Sequence, residues 1–518
     1  MLRVKVPPAF YQMLEAQVRN SGKKARGCRW TLEDKLLFIP MYQQSPRLYA
    51  YLRRLIKLPS PRSLKDQLGY MSYETEVNSS VMSLRKKAEN LEGHEQECVM
   101  MMDEISFKKG LGYDAKNDQV VGFVDHGKEG TTDVVANHAM VLMIRGIYGD
   151  WKMPITYYLT SNGMTARDQI PLVRSVIQAV NEARFRVRAL VCDAATRNTS
   201  MFNLLGVTVE RPYFTVDGQR VCAIIYTQHL LKAVRNNPMK YDFHFGDKAA
   251  RWKDIEDFVT IDSQFPARIA PKITTHLNPQ QQEKMSVNLA AEVLSSRVAA
   301  GLYIYTDTGR LPPQAEGTAY MTLLLDKVFD SFNGTTAAVR GSPPPAKPYR
   351  MSVSKESPHL ELWKEAVKWL EYLTFYNAET RQPVRNNGPT FHRSLLITMK
   401  AMDVLWQDLE GEGYQSLPTR RLNQDPLENL FSTIRYSVTY ENHRLHPTAA
   451  EIIPALTSTL IGMVARTKGN CQLDADEILT DLQSLIVDQP DKDKGRERLS
   501  VYRINLFLPK NKVSKTSA

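Results

Sequence analysis

The chain has 518 residues, more than one compact core accommodates, so its length points to several domains. Hydrophobic residues at 43% and charged residues at 24% exclude a disordered chain, and no apolar run is long enough to cross a bilayer, so no membrane partner is expected. A net charge of +11 and a pI near 9.2 tilt the balance toward an anionic partner, nucleic acid above all. The five cysteines, Cys28, Cys98, Cys192, Cys222 and Cys471, form no CxxC pair and suggest no zinc site. They read as reduced thiols, and the start lacks the apolar core of a signal peptide, so a cytosolic or nuclear protein is expected.

Residues 1–29 are basic and mixed, with "GKKARGCR" reading as a solvated or phosphate-facing run. Three short helices follow. Thr31 caps "TLEDKLLFIPMY", Ser45-Pro46 opens "SPRLYAYLRRLIKL", and Ser60-Pro61 precedes "RSLKDQL". Their short turns suggest a small helix-turn-helix unit with Arg53, Arg54, Lys57, Arg62 and Lys65 on its surface. Such a unit either touches DNA or packs against neighbours. Residues 76–97 read as a polar connector helix.

From residue 98 the pattern becomes strands. "CVMMMDEISF" reads as a buried strand ending in acids, "QVVGFVD" as another, and "AMVLMIRGIYG" and "MPITYYLTS" as two more. "TARDQIPLVRSVIQAVNEARF" is a helix with Ile170, Val173, Ile177 and Val180 along one face, and "RVRALVCD" is the central apolar strand after it. Asp103 lies at the end of the apolar part of the first strand and Asp193 at the end of the strand after the helix. Acids so placed converge at one sheet edge. This is the layout of a ribonuclease-H-like core, which expects a third acid from a later helix.

"NQDPLENLFSTIR" supplies a candidate. Asp425 fits an N-cap, Pro426 the first helical position and Glu428 the acid of a capping box, with Leu427, Leu430, Phe431 and Ile434 forming a buried face. The stretch between Asp193 and Glu428 is too long for a loop. It is read as helical from "KMSVNLAAEVLSSRVAAGLYIY", "GTAYMTLLLDKVFDSFN", "LELWKEAVKWLEYLTFY" and "FHRSLLITMKAMDVLWQDL", with Gly334 to Pro358 a mobile surface loop. The expected fold is therefore an α/β ribonuclease-H-like core interrupted by a large all-α insertion domain and preceded by a small helix-turn-helix unit. The segments are 1–29, a basic N-terminal stretch; 30–97, helix-turn-helix and connector; 98–238, first part of the core; 239–415, insertion; 416–475, last part of the core; and 476–518, tail.

Three carboxylates suit phosphodiester chemistry. Two magnesium ions about 4 Å apart activate a nucleophile and stabilise the leaving oxygen, and magnesium takes hard oxygen ligands. Each acid also has a plainer role: Asp103 or Glu104 ending a strand in solvent, Asp193 capping the turn into "AATRNTS", Glu428 completing a capping box. Spacing alone does not choose between these.

The order of "MMDEISFKKGLGYDAKNDQVVGFVD", "ALVCDAATRNTSMFNLLGV", "HLLKAVRNN" and "LNQDPLENLFSTIR" resembles the P-element transposase family, including the THAP-domain transposases of animals. The likeness runs from about residue 20 to about 475, and "RWTLEDKLLFIPMYQQSPRLYAYLRRLIKLPSPRSL" resembles that family's helix-turn-helix segment. The resemblance implies a DDE transposase that cuts DNA and transfers strands with Mg2+, acting as a homo-oligomer on transposon ends and target DNA in the nucleus. It implies Asp103, Asp193 and Glu428 as catalytic metal ligands. It also implies a helical insertion that binds GTP as a cofactor, which agrees with the lack of a "GxxxxGK[ST]" loop. Asp330 and Asn333 in "FDSFN" match the family's guanine-reading D-x-x-N pair. Val287 and Ser295 match positions near the nucleotide, Lys272 and Lys284 are phosphate candidates, and Asp425 is placed near the same site. His229, Lys232 and Arg235 are candidates for DNA phosphate. Two departures stand out. The chain shows no zinc-coordinating THAP domain, and Tyr226 and Gln228 replace the aspartate and proline of the family's block before "HLLK". They favour the alternative, a truncated or host-adopted derivative that binds DNA and regulates without catalysis.

Overall fold

The computed structural model describes residues 8–68, 84–85, 87–89, 91–114, 118–127, 130–273, 277, 279–335, 348–384, 388–442 and 447–464. Four helices come first: α1 (Pro8–Arg19), α2 (Leu32–Gln44), α3 (Pro46–Leu55) and α4 (Pro61–Leu68). The caps fall where the sequence places them. Thr31 and Asp34 exchange side-chain and backbone hydrogen bonds in a capping box, Ser45 accepts from the Leu48 N–H, and Ser60 accepts from the Ser63 N–H. Of the basic N-terminal stretch, residues 22–27 and Arg29 of "GKKARGCR" are exposed, and α1 precedes that run. Met13 and Ala16 give α1 an apolar stripe, and Ala16 is fully buried. Gln17 bonds both the carbonyl and the N–H of Lys57, whose ammonium donates to the Asn20 carbonyl. The expected connector helix lies largely outside the described residues.

The next strands are β1 (Glu97–Ser106), β2 (Gly112–Asp114), β3 (Gln119–Val121), β4 (Phe123–Asp125), β5 (Thr131–Val135), β6 (His138–Gly146) and β7 (Lys152–Thr160). After α5 (Ala166–Glu182) come β8 (Arg186–Cys192), α6 (Thr196–Leu204), β9 (Tyr213–Val216), β10 (Gln219–Ile225) and α7 (Thr227–Asn236). "QVVGFVD" is two strands, because Gly122 breaks it at a φ of +110° that side chains rarely adopt. Its first half pairs with β2, and its second joins the large sheet. That mixed sheet has the order β5-β4-β7-β6-β1-β8-β10-β9. Strand β1 is antiparallel to β6 and parallel to β8, which is parallel to β10. Val173, Ile177 and Val180 of α5 are buried as predicted.

Residues 239–415 are not all helix. They contain β11 (Tyr241–Phe245), β12 (Lys248–Ala250), α8 (Trp252–Asp262), α9 (Gln281–Lys284), α10 (Val287–Val293), α11 (Ser296–Asp307), α12 (Ala315–Ser331), α13 (His359–Glu371), β13 (Thr374–Asn377) and α14 (Thr390–Gly411). The three strands form a separate antiparallel sheet, β12-β11-β13. Aromatic and β-branched residues in "YDFHF" and "TFYN" favour strands, but their pairing spans more than a hundred residues and leaves no local trace. Helix α12 lies against β12 so closely that a Cβ on Gly317 would stand 2.3 Å from the Ala249 carbonyl oxygen. The loop from Gly334 is tied at both described ends: Gly334 N–H donates to Thr419, and Thr335 bridges Met351. Helix α14 returns to the large sheet, where Thr398 accepts from the Ile225 N–H at 3.0 Å. The chain ends its described part with α15 (Asp425–Asn442) and α16 (Ala449–Val464). No described helix is long and apolar enough to cross a membrane.

At the start of β1, Glu97 is fully buried beneath Arg186 and Arg188, and its carboxylate also accepts from the Tyr414 hydroxyl at 2.8 Å. Arg188 reaches on to Glu412, and Tyr148 stacks on Tyr414 with ring centroids 4.8 Å apart. This cluster fastens the segment after α14 to the base of the sheet.

Candidate active site and nucleotide-binding region

Register builds the site. In the parallel strands, Met102 pairs with Cys192 and Cys192 with Ile225. The next residue along each strand is therefore Asp103, Asp193 and Tyr226, side by side at one edge. The Tyr226 N–H donates to the Cys192 carbonyl and holds that line. The pleat separates Asp103 from Glu104: Glu104 accepts from the Met164 N–H and pairs with Arg197.

Glu428 reaches this edge on α15. Burial pushes the Asp103 carboxyl up to about 7, helped by the charges of Asp193, Glu428 and Glu104 and opposed by a hydrogen bond from the Glu104 N–H. Burial also raises Glu428, with Asp425 adding and Tyr226 and Lys232 opposing. Asp193 accepts from the Ala195 N–H and from Asn198, so the predicted turn-capping role is real and coexists with its place at the edge. Each carboxylate has thus turned toward local donors, as like charges in a poorly solvated place do. Among the described residues, no group of three or more His, Cys, Asp or Glu side chains stands closely enough gathered to hold an ion. Asp103 feels the charge of both Asp193 and Glu428, and the described acids form no closed cage.

The start of α15 differs by one residue from the expected cap. The Gln424 carbonyl accepts from Leu427 and Glu428, so the helix opens there rather than on Asp425. Released from capping, the Asp425 carboxylate accepts from the Tyr226 hydroxyl at 3.0 Å and from Gln228 at 2.8 Å. Tyr226 and Gln228, the two residues that depart from the resembled pattern before "HLLK", therefore meet at one acid. The Gln424 side chain donates to the Met102 carbonyl at 2.6 Å, one residue before Asp103, and binds α15 to β1.

Helix α7 contributes cations unevenly. Burial lowers the pKa of His229 and of Lys232; Asp193 opposes the shift at His229, and Glu428 and Asp193 oppose it at Lys232. Both side chains therefore lie within the field of the acids. Arg235 does not present itself to DNA: it is fully buried and donates to the Glu283 carbonyl, because its position faces α9 and α10 rather than solvent.

The residues implied for a nucleotide form two groups. Asp330 accepts from Arg350 at 2.8 Å, and Asn333, just past the end of α12, accepts from Asn423 at 3.2 Å. This group stands beside the opening of α15 and hence beside Asp425. The other gathers around α10. Val287 is its first residue, Lys272 pairs with Glu292, and the Asn236 side chain donates to the Lys284 carbonyl. The Ser295 hydroxyl accepts from the Val298 N–H as the cap of α11, so the helix predicted to run through "LAAEVLSSRVAAG" is broken there.

Residues 76–206 match the model of the TNP-like RNase H N-terminal domain, and residues 228–344 that of the TNP-like GTP-binding insertion domain. The human protein "DNA transposase THAP9" is 23% identical over 426 residues, covering 78% of this chain and 46% of that protein. The Drosophila melanogaster "Transposable element P transposase" is 22% identical over 455 residues, covering 86% of this chain and 55% of that one. The fold aligns with a chain of the "Drosophila P element transposase strand transfer complex" at a TM-score of 0.72 and 20% identity, covering 87% of this chain and 98% of that chain. By these matches the chain is similar to the P-element-like transposases. It spans about half the length of the curated relatives it matches.

In this chain, sequence reasoning missed Asn423 and Gln424. Both are buried, and their partners lie 90 and 322 residues away, so neither carries a local signal.

Proposed function

We propose that this chain carries the catalytic core of a DDE transposase that cuts DNA and joins it to a target, with divalent metal at the acids and GTP bound beside them. The observation that supports this most is the register of Met102, Cys192 and Ile225, which sets Asp103 next to Asp193 at the edge that Glu428 approaches. Asp103, Asp193 and Glu428 would hold magnesium. Their hard oxygens suit it, and the raised Asp103 carboxyl is a group that a nearby cation returns to its charged form. Bound there, magnesium supplies activation of the attacking oxygen and neutralises charge on the leaving one.

The chain's own groups do the positioning. Tyr226 and Gln228 hold Asp425, and Gln424 holds the opening of α15 against β1, so Glu428 approaches from a fixed direction. Lys232 and His229 flank the acids where a DNA phosphate would lie. Asp330 accepts from the guanine N1 and N2 hydrogens, and Asn333 completes the base edge. The α10 group, with Lys272 and Lys284, serves the phosphates. A homo-oligomer follows from the need to pair two transposon ends, and the nucleus is where the substrate is found.

The test is incubation of the purified chain with terminal-repeat or branched DNA, Mg2+ and GTP, beside Asp193→Ala. Cleavage or joining by the parent alone supports the proposal. Equal DNA retention with no chemistry from either protein overturns it in favour of a regulatory DNA-binding protein.

A further inference from the structure

A carboxamide has a donor end and an acceptor end of nearly the same shape, so an exposed asparagine presents either to a ligand unless something fixes it. Asn333 is exposed, yet one end is committed: its Oδ1 accepts from Asn423 Nδ2 at 3.2 Å. Asn423 is 1% exposed, and its own Oδ1 accepts from the Thr227 hydroxyl at 2.9 Å. Thr227 is itself buried as the first residue of α7. Three side chains therefore run from the interior to the surface, with the Thr227 hydroxyl facing the Asn423 oxygen and the Asn423 NH2 facing the Asn333 oxygen. Reversing Asn333 alone would bring its NH2 against the NH2 of Asn423 and leave a buried donor unpaired.

With its oxygen committed inward, Asn333 keeps its NH2 end for a ligand. One helical turn earlier, Asp330 offers a carboxylate whose Oδ1 is anchored by Arg350. An acceptor beside a donor complements guanine, which carries N–H groups at N1 and N2 and an acceptor at O6. Adenine presents an N–H donor at the 6-position, where the Asn333 NH2 has nothing to donate to. We propose that Asn423 is the residue that makes this site choose guanine over adenine, by fixing the direction of the Asn333 carboxamide. The inference rests on the reading of Asp330 and Asn333 as the base-binding pair. Asn423 is a positioning residue and need not touch the nucleotide.

Asn423→Asp tests it, because a carboxylate only accepts. Asn333 must then turn its NH2 inward and its oxygen outward, toward what adenine offers. The readout is the ratio of MgATP to MgGTP dissociation constants from calorimetric titration of the full chain. The parent should favour GTP by on the order of 100-fold, since a site built for hydrogen bonds rejects the base that leaves them unmade. Asn423→Asp should shrink that ratio about 10-fold or more, with tighter ATP binding as well as weaker GTP binding. Thr227→Val, a milder change that releases Asn423 to rotate, should shrink the ratio less and decides the matter if Asn423→Asp does not fold. A parent-like ratio in the folded variant overturns the inference and leaves the nucleotide reading standing. A parent that binds neither nucleotide overturns both.

Discussion

Strand β1 carries a carboxylate near each end, and the protein treats the two in opposite ways. Glu97 has no exposure, but two guanidinium groups and a tyrosine hydroxyl surround it. Asp103, a few residues on, keeps one backbone hydrogen bond and faces other carboxylates. The first arrangement satisfies every demand of a buried charge and spends its interactions on holding the chain together. The second leaves mutual repulsion in place, which a stability-only design would remove. Local conflict of this kind marks functional sites, where charge is kept ready for something that arrives later.

The comparison can be broken most forcefully at its satisfied end. Glu97→Ala leaves Arg186 and Arg188 without their buried partner and should cost about 3–5 kcal/mol in urea or thermal unfolding. A loss near that of an exposed ion pair would mean that the cluster is decoration. At the unsatisfied end the sign reverses. Asp103→Asn keeps an acceptor for the Glu104 N–H while removing a crowded charge, so in EDTA it should raise stability by about 1–2 kcal/mol, while on the proposed reading it abolishes DNA cleavage in Mg2+. A destabilised variant would show that Asp103 is structural. The smallest effect is a pH dependence. The hydrogen bond from Arg188 holds the Glu412 carboxyl below its usual 4.5, so the folded chain binds fewer protons there than the unfolded one. Its contribution is complete above pH 4.5 and fades as the pH falls through the lowered value. Melting curves across acid pH should show a shallower decline in Glu412→Gln than in the parent.

Much of the acid edge was legible. Asp103 and Asp193 each end an apolar run, and strands that end together bring such residues together; Met102 opposite Cys192 is that rule made concrete. Which of Asp103 and Glu104 faces the site was not legible, since it depends on the pleat. Glu428 could be singled out only by resemblance, because its neighbours write an ordinary helix start. That start proved misleading by one residue: Gln424 opens the helix because its side chain is drawn to Met102, a contact no local window contains. The pairing of β11 with β13 was hidden for the same reason, since these short segments lie far apart along the chain. Arg235 sits in a basic-looking stretch but faces inward, and charge alone does not report direction.

The bond from Gln424 to Met102 joins residues 322 positions apart. A ribosome must therefore synthesise more than three hundred further residues after Asp103 before the edge containing it gains its last member. On the proposed reading, a product that stops early at a nonsense codon, or is clipped within the insertion and sheds its C-terminal portion, retains the first two acids and never the third. Cutting power is then withheld from every nascent or prematurely terminated copy.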